Sequence, residues 1–317
     1  MKTLQRLHPI LCLLGLLLMS GAVYGQPPAQ NVDGGPSRGP GKPVTIPLTI
    51  RMNSDQNPEL TNIDLIVSED GEPQQILSIR AIPNSPITLA VLIQDDLVPS
   101  VANEIKPLGE FIRNLPKGSR VMIGYLRTGS LQVRQKFTSD LEKAANSLRA
   151  PSGSAFVGPY NPYVEVVEAL RKFEAQPLGR RAILLVSDGL DISRGVDSSA
   201  PTQSVDLQRA VNEAQRRGVA IYGFYSPTFA SAANRTLAGN AQGSLLRLSN
   251  ETGGTAFFQG TGPPVSFEPF IRELDVSLQK QAALTFLSTH LKKGFHKIEV
   301  KSVTPGVRIA FPSGYVR

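Results

Sequence analysis

The sequence predicts an α/β protein: a Rossmann-like, mostly parallel central sheet with helices on both faces, and a small β domain built from the N- and C-terminal segments. Three observations predict it. Nearly continuous apolar runs, such as Ile87 to Ile93 and Arg181 to Ser187, are what strands covered on both faces require. Helical periods alternate with those runs, as a parallel sheet with right-handed crossovers demands. Segments 44–85 and 281–317 instead alternate apolar and polar residues, the pattern of half-buried strands.

The chain opens with Lys2 and Arg6, an apolar run from Ile10 to Met19, and small residues up to Gly25. That order predicts a secretory signal peptide over residues 1–25, cleaved before Gln26. The run is shorter than the roughly 20 residues that span a bilayer, so no membrane span is expected after cleavage. The expected location is periplasmic or extracellular. Residues 26–43, rich in Pro, Gly, Gln and Asn without an apolar period, predict a disordered leader. The single cysteine, Cys12, lies in the signal peptide. An exported chain without it excludes disulfides, thiolate metal sites and cysteine nucleophiles.

The strands follow in order. Val44 to Met52 reads as the first, and Ile63 to Val67 and Gln75 to Ile79 as two more around the turn Glu69-Asp70-Gly71. The α/β block, 86–280, starts with Ile87 to Ile93. Val101, Ile105, Leu108, Ile112 and Leu115 then mark a helix in which Pro107 implies a kink or a late start. Arg120 to Leu126 is a second strand, with Leu131 to Phe137 as an antiparallel edge beside it. A helix from Ser139 to about Arg149 carries a Ser139–Glu142 capping box. A Gly/Pro/aromatic loop, Pro151 to Pro162, leads into a helix over Tyr163 to Phe173, and Arg181 to Ser187 is the next strand. Leu207, Ala210, Val211 and Ala214 share a helical face closed by Gly218. Val219 to Tyr225, a helix over Leu245 to Glu251, Thr255 to Phe258 and an amphipathic helix from Phe267 to Leu278 complete the block. Strands at Ala283 to Ser288, His296 to Ser302 and Val307 to Phe311 follow. They are expected to pair with the N-terminal β segment, so that the α/β unit is inserted between two halves of a β domain.

The formal charge is +7 and the sequence pI about 9.6. The basic residues are scattered pairs (Arg171-Lys172, Arg180-Arg181, Arg216-Arg217, Lys292-Lys293) rather than a clustered stripe, and there is no tryptophan. Nucleic acid is therefore not an expected partner.

Open α/β sheets bind ligands at the carboxyl ends of their strands, and two of those ends are acidic: Asp95-Asp96 and Asp188. Adjacent Asp95 and Asp96 would repel if buried, so the expectation is exposure, or else neutralisation by a cation or a nearby Arg. Asp188-Gly189 also reads as an ordinary strand-to-loop turn. The loop Gly153 to Pro162 carries Phe156 and Tyr160, with Tyr163 nearby. Exposed aromatics on a rigid scaffold are binding hot spots, although the same rings are equally able to fold back as loop packing. His290 and His296 are expected as polar surface of a hairpin. No nucleophile–base pair is visible, and no Gly-x-Gly-x-x-Gly follows the first strand of the block, which argues against an enzyme.

The order and spacing of Ser68-Glu69-Asp70-Gly71-Glu72-Pro73-Gln74, Ile87 to Ile93, Gly118 to Leu126, Ile183 to Gly189, Glu251-Thr252-Gly253-Gly254 and Gly314-Tyr315 resemble the von Willebrand factor A family. Within it they resemble the bacterial exported branch described as acidobacterial A-domain-related proteins, over residues 44–317. The resemblance implies a metal-ion-dependent adhesion site at the sheet top, made by Asp-x-Ser-x-Ser, a Thr and an Asp. This chain departs from it: the first loop reads Gln94-x-Asp96-x-Val98, Asp95-x-Leu97-x-Pro99 or Asp96-x-Val98-x-Ser100. The second loop offers Ser154 or Asn161 instead of threonine, and only Asp188 matches. Too few oxygen ligands remain for Mg²⁺. The implied site is degenerate: no resident cofactor, and at most weak Ca²⁺ or Mg²⁺ at Asp95, Asp96 and Asp188, with Asp191 as a further calcium ligand. The expected function is a protein–protein interaction module whose partner surface holds Asp95, Asp96, Phe156, Tyr160, Asp188 and Asp191. A structural component of the cell envelope is the second expectation, and a Ca²⁺- or Mg²⁺-dependent adhesion protein the third.

Overall fold

Alternation within the apolar runs builds the core. In the computed structural model, which describes residues 41–52, 64–80, 85–156 and 158–317, Leu89, Val91 and Ile93 face one side of a sheet and Ala90 and Leu92 the other, all fully buried. The expected signal peptide and most of the leader lie outside the described residues.

The central sheet has six strands: β4 (Thr88–Gln94), β5 (Arg120–Arg127), β6 (Ser130–Thr138), β7 (Arg181–Ser187), β8 (Ala220–Tyr225) and β9 (Ala256–Phe257), in the order β6-β5-β4-β7-β8-β9. All neighbours are parallel except β6, which pairs antiparallel with β5 at the edge. One face is covered by α1 (Ile105–Arg113), α2 (Leu141–Asn146) and α7 (Glu268–Gln279), through Leu108, Phe111, Ala144, Phe270 and Leu274. The other is covered by α3 (Pro162–Arg171), α4 (Val205–Arg217) and α6 (Arg235–Thr252), through Val166, Leu170, Leu207, Val211 and Leu245. The predicted fold class is the one observed.

The remaining seven strands form a second sheet, antiparallel throughout: β1 (Lys42–Met52), β2 (Leu65–Glu69), β3 (Glu72–Arg80), β10 (Gln281–Ser288), β11 (Phe295–Ser302), β12 (Val307–Ala310) and β13 (Gly314–Val316), ordered β12-β1-β10-β3-β2-β11-β13. N- and C-terminal segments interleave here; Ile46 stands opposite Leu284, and Thr45 opposite Thr285 with their hydroxyls 2.9 Å apart. Ile46, Leu48, Phe286, Ile298 and Tyr315 fill its core. Arg51 donates to Ser277 of α7 at 2.8 Å, and Gln215 of α4 to Ser313 at 3.1 Å, joining the second sheet to helices of the first.

Local differences from expectation have local causes. The α2 helix begins one residue later than predicted: Asp140, not Ser139, accepts the Lys143 N–H as N-cap, so the Ser139–Glu142 box does not form. Pro107 falls in the first turn of α1, where its missing N–H costs nothing, and a 3-10 turn over Pro99–Glu104 precedes it. The first strand starts at Lys42, inside the segment expected as leader. The helix α6 starts ten residues ahead of the predicted Leu245. Its buried face is made of small residues such as Ala238, Ala241 and Ser244, and Asn234 caps it by accepting from the Thr236 and Leu237 N–H groups. A five-residue helix, α5 (Phe229–Ala233), carried no sequence signal, and the three-residue β13 none beyond the pair Gly314-Tyr315.

Candidate functional site

The chain leaves β4 towards β5 on one side and returns to β7 on the other, so the carboxyl ends of β4 and β7 flank the point where strand order reverses. A crevice opens at such a point. Here Gln94 ends β4, and Ser187 ends β7 with Asp188 next. The loop after β8 closes over them, as Val98 N–H donates to the Pro227 carbonyl and Leu97 bridges to Thr228.

Gln94, almost wholly buried, organises this end. Its amide oxygen accepts from the Ser187 hydroxyl and, at 3.3 Å, from the Asp188 N–H; its amide nitrogen donates to Asp96 Oδ1 at 2.9 Å. A neutral amide therefore stands at the carboxyl end of β4, with an N–H pointing at the neighbouring acid.

Asp188 is 2% exposed. One carboxylate oxygen accepts from the Leu190 N–H at 3.0 Å and the other from the Thr228 hydroxyl at 2.8 Å. Burial pushes its pKa up, and those hydrogen bonds pull it back. Gly189 beside it has φ +70°, and a Cβ there would lie 2.5 Å from Leu245 Cγ, so only glycine lets the chain turn this tightly against α6. The expectation that Asp188 is both turn residue and accessible surface is corrected: the turn is real, and the carboxylate is caged.

For Asp95 the exposed alternative is corrected and neutralisation by Arg is the one found. The residue is 0% exposed. Arg149 donates to both carboxylate oxygens, at 2.6 and 2.8 Å; Arg127 Nε lies 3.2 Å away, and the Ser152 N–H donates at 2.9 Å. The Arg149 guanidinium also lies 4.0 Å from the centre of the Tyr125 ring. A bidentate Arg–carboxylate pair is strongly directional, so Asp95 braces the loop rather than serving a ligand. Asp191 is buried too, its oxygens accepting from Ser193 and from Ser204, the N-cap of α4. It is therefore not part of an exposed partner surface.

Asp96 is half-buried beneath the loop that follows α2. A Cβ added to Gly158 would stand 1.9 Å from Asp96 Oδ2, so the loop backbone lies directly on that carboxylate. The Thr128 hydroxyl fastens the Gly158 carbonyl from β5's end. Burial, with the charges of Asp188 and Asp95 adding to it and the Gln94 hydrogen bond opposing it, pushes Asp96 up to about 6. A raised carboxylate pKa means the folded state holds its proton more tightly than the unfolded chain does. Stability from this group is thus greatest below the ordinary value of 3.8 and falls as pH rises through about 6. Asp96→Asn should therefore stabilise the protein by about 2 kcal/mol at pH 7.5, with the advantage vanishing near pH 4. Thermal melts of both proteins across that range check it; an advantage constant with pH counts against a buried, charged Asp96.

The geometry does not suit Mg²⁺ or Ca²⁺. Such ions need about six or more oxygen ligands with room for water. Here the acidic oxygens are held by Gln94, Thr228, Arg149 and backbone N–H groups, and Gly158 covers Asp96. Asn161, offered as a second-loop ligand, caps α3 and donates to Asp206 instead. Among the described residues, the one group of three His, Cys, Asp or Glu side chains whose ligand atoms converge within 4.8 Å is elsewhere, at Glu69, Asp70 and His296.

What this end does present is aromatic. Phe156 is 96% and Tyr160 66% exposed, so of the two alternatives the rings are surface rather than loop packing; Tyr163 turns inward, where its hydroxyl donates to the Gly189 carbonyl. Phe229, at the start of α5 after β8, adds a third exposed ring that sequence reasoning missed. The backbone holding them is fixed: Gly153 N–H donates to the Asp95 carbonyl and Ile192 N–H to the Tyr160 carbonyl. A surface cavity of about 720 Å³ between α1 and α7 opens at the other end of the sheet, beside Ile87 and Arg180.

No protein-family model matches the chain, and no curated protein matches it. Among solved structures it is similar to an aerotolerance-related membrane protein of Bacteroides fragilis (12% identity, TM-score 0.41, covering 62% of this chain and 100% of that one). It is similar also to the conserved hypothetical protein BatB of Bacteroides thetaiotaomicron (14%, 0.43, 62% and 98%) and to the SpRpn10 VWA domain (12%, 0.39, 61% and 97%). The fold description rests on the chain's own strand order and packing. Among the described residues, no helix is long and apolar enough to cross a membrane.

Proposed function

We propose that the chain is an exported, non-catalytic interaction module of A-domain type, which docks another protein at the carboxyl-end rim of its central sheet without a tightly bound metal ion. The observation that carries this reading is a division of roles at the rim. Its acidic groups are consumed internally, whereas Phe156 and Tyr160 project from a loop whose N-terminal end Asp95 anchors through Arg149 and Ser152. Rigid, exposed aromatics give contact area at small entropic cost, which is why they dominate interface energetics. The basic, apolar and small-residue order of residues 1–25 supports export.

The test is site-specific photocrosslinking in the producing cell. A photoreactive residue at position 156 or 160 of the full chain should give a discrete protein adduct that survives EDTA and is lost when the other ring becomes serine. The same residue at Leu178, which is 72% exposed at the opposite end of the sheet, should give none. An adduct from 178 alone, or one abolished by EDTA, refutes the reading.

A further inference from the structure

The antiparallel sheet gathers a second group of polar side chains, 246 residues apart in sequence at its widest hydrogen-bonded pair, Tyr315 and Glu69. Glu69 is fully buried at the end of β2. Its Oε1 accepts from the Tyr315 hydroxyl at 2.6 Å and the Ser288 hydroxyl at 2.9 Å. Its Oε2 has no hydrogen-bond partner and faces His290 Nδ1 at 3.4 Å, which has none either. His296, 5% exposed, is corrected from polar surface to core. Its Nε2 lies 2.9 Å from the Lys292 carbonyl. A carbonyl only accepts, so Nε2 carries the hydrogen, and the neutral ring turns its Nδ1 lone pair on Asp70 Oδ2 at 2.8 Å and Glu69 Oε1 at 3.6 Å. A lone pair facing two carboxylates is stable only with a proton or a metal cation between them.

We propose that Glu69, Asp70, His290 and His296 form a binding site for one divalent transition-metal ion of the zinc class. Imidazole nitrogens mixed with carboxylates select zinc, cobalt or nickel over magnesium. Two atoms each about 2.0–2.1 Å from a tetrahedral ion are about 3.3 Å apart, close to the observed 3.4 and 3.6 Å. The Asp70–His296 contact has to open by about half an ångström to admit the ion. Three of the four already have the outer hydrogen bond that orients metal ligands: Lys292 carbonyl on His296, Lys297 N–H on Asp70 at 2.8 Å, Tyr315 on Glu69; His290, at the margin of the converging trio, faces Glu69 Oε2. The ion would clasp β2 to β11 and to the turn after β10, joining the N- and C-terminal halves of the sheet. This site is independent of the sheet-top reading.

The test titrates the full, untagged chain with Co²⁺ and then Zn²⁺. One Co²⁺ per chain should bind with the visible absorption of a low-coordinate nitrogen–oxygen site; Zn²⁺ should displace it and raise the melting temperature. His290→Ala, at a partly exposed position, and the isosteric Glu69→Gln should each weaken binding at least about tenfold. Both are compared at equal metal-free circular dichroism, and Asp188→Asn should change nothing. Failure to bind either ion, or binding that both ligand variants leave intact, overturns the proposal. If one ligand variant misfolds, the other decides.

Discussion

Arg149→Met should cost the protein about 3 kcal/mol, because it leaves a buried carboxylate facing only Arg127 and one N–H. Asp95 has 1% of its side chain exposed and Arg149 30%, so water recovers little of the lost pairing. The variant also loses the guanidinium over the Tyr125 ring, an attraction of about 1 kcal/mol. Arg149 is tied into its loop twice more: the Tyr125 hydroxyl lies 2.6 Å from its carbonyl and 2.7 Å from its N–H. Loss of the ion pair should therefore loosen residues 149–162 before it unfolds the sheet. Urea denaturation gives the magnitude, and limited proteolysis should cut within that loop first. Asp95→Asn combined with Arg149→Met should cost less than the sum of the single changes, since no unpaired charge stays buried. A single Arg149→Met variant within 0.5 kcal/mol of wild type would falsify the bracing role.

Gly158→Ala is expected to be nearly as damaging, for a steric reason. Its methyl group would occupy the space of the Asp96 carboxylate, 1.9 Å from Oδ2 and 2.0 Å from Cγ. Either the loop lifts or Asp96 swings away from Gln94, and overpacking of this kind costs about 1–3 kcal/mol. Asp96→Ala should offset part of the cost by removing the carboxylate, although its own Cβ, 2.7 Å from the added atom, still crowds it. A double-mutant cycle measures this. Additive effects would mean the loop does not rest on Asp96.

All strands of both sheets except the three-residue β13 are legible because burial on one or two faces imposes its own periodicity on the sequence. Ile87 to Ile93 and Val44 to Met52 announce their environments residue by residue. The first half of α6 is hidden because its buried face holds one large residue, Leu237, among Ala238, Ala241 and Ser244, with Gly239 and Gly243 weakening the helical signal. At the sheet top, the strand order placed Asp95, Asp96 and Asp188 at the correct end, but not their partners. Arg149 lies 54 residues from Asp95 and Thr228 lies 40 from Asp188, and no local pattern encodes such pairings. The histidines were misread for the same reason: the acids that enclose them arrive from β2 and its turn, at the far end of the chain.

Calorimetric titration of the full chain with Mg²⁺ and with Ca²⁺ tests the metal-independence of the sheet top most directly. These oxygen-seeking ions have little affinity for the histidine-bearing cluster in the other sheet. The hydrogen bonds of Gln94, Thr228 and Arg149 predict no micromolar binding of either ion, and identical traces from wild type and Asp188→Ala. Micromolar binding that disappears in Asp188→Ala would contradict the account, because it would show that the caged carboxylates open to take a cation.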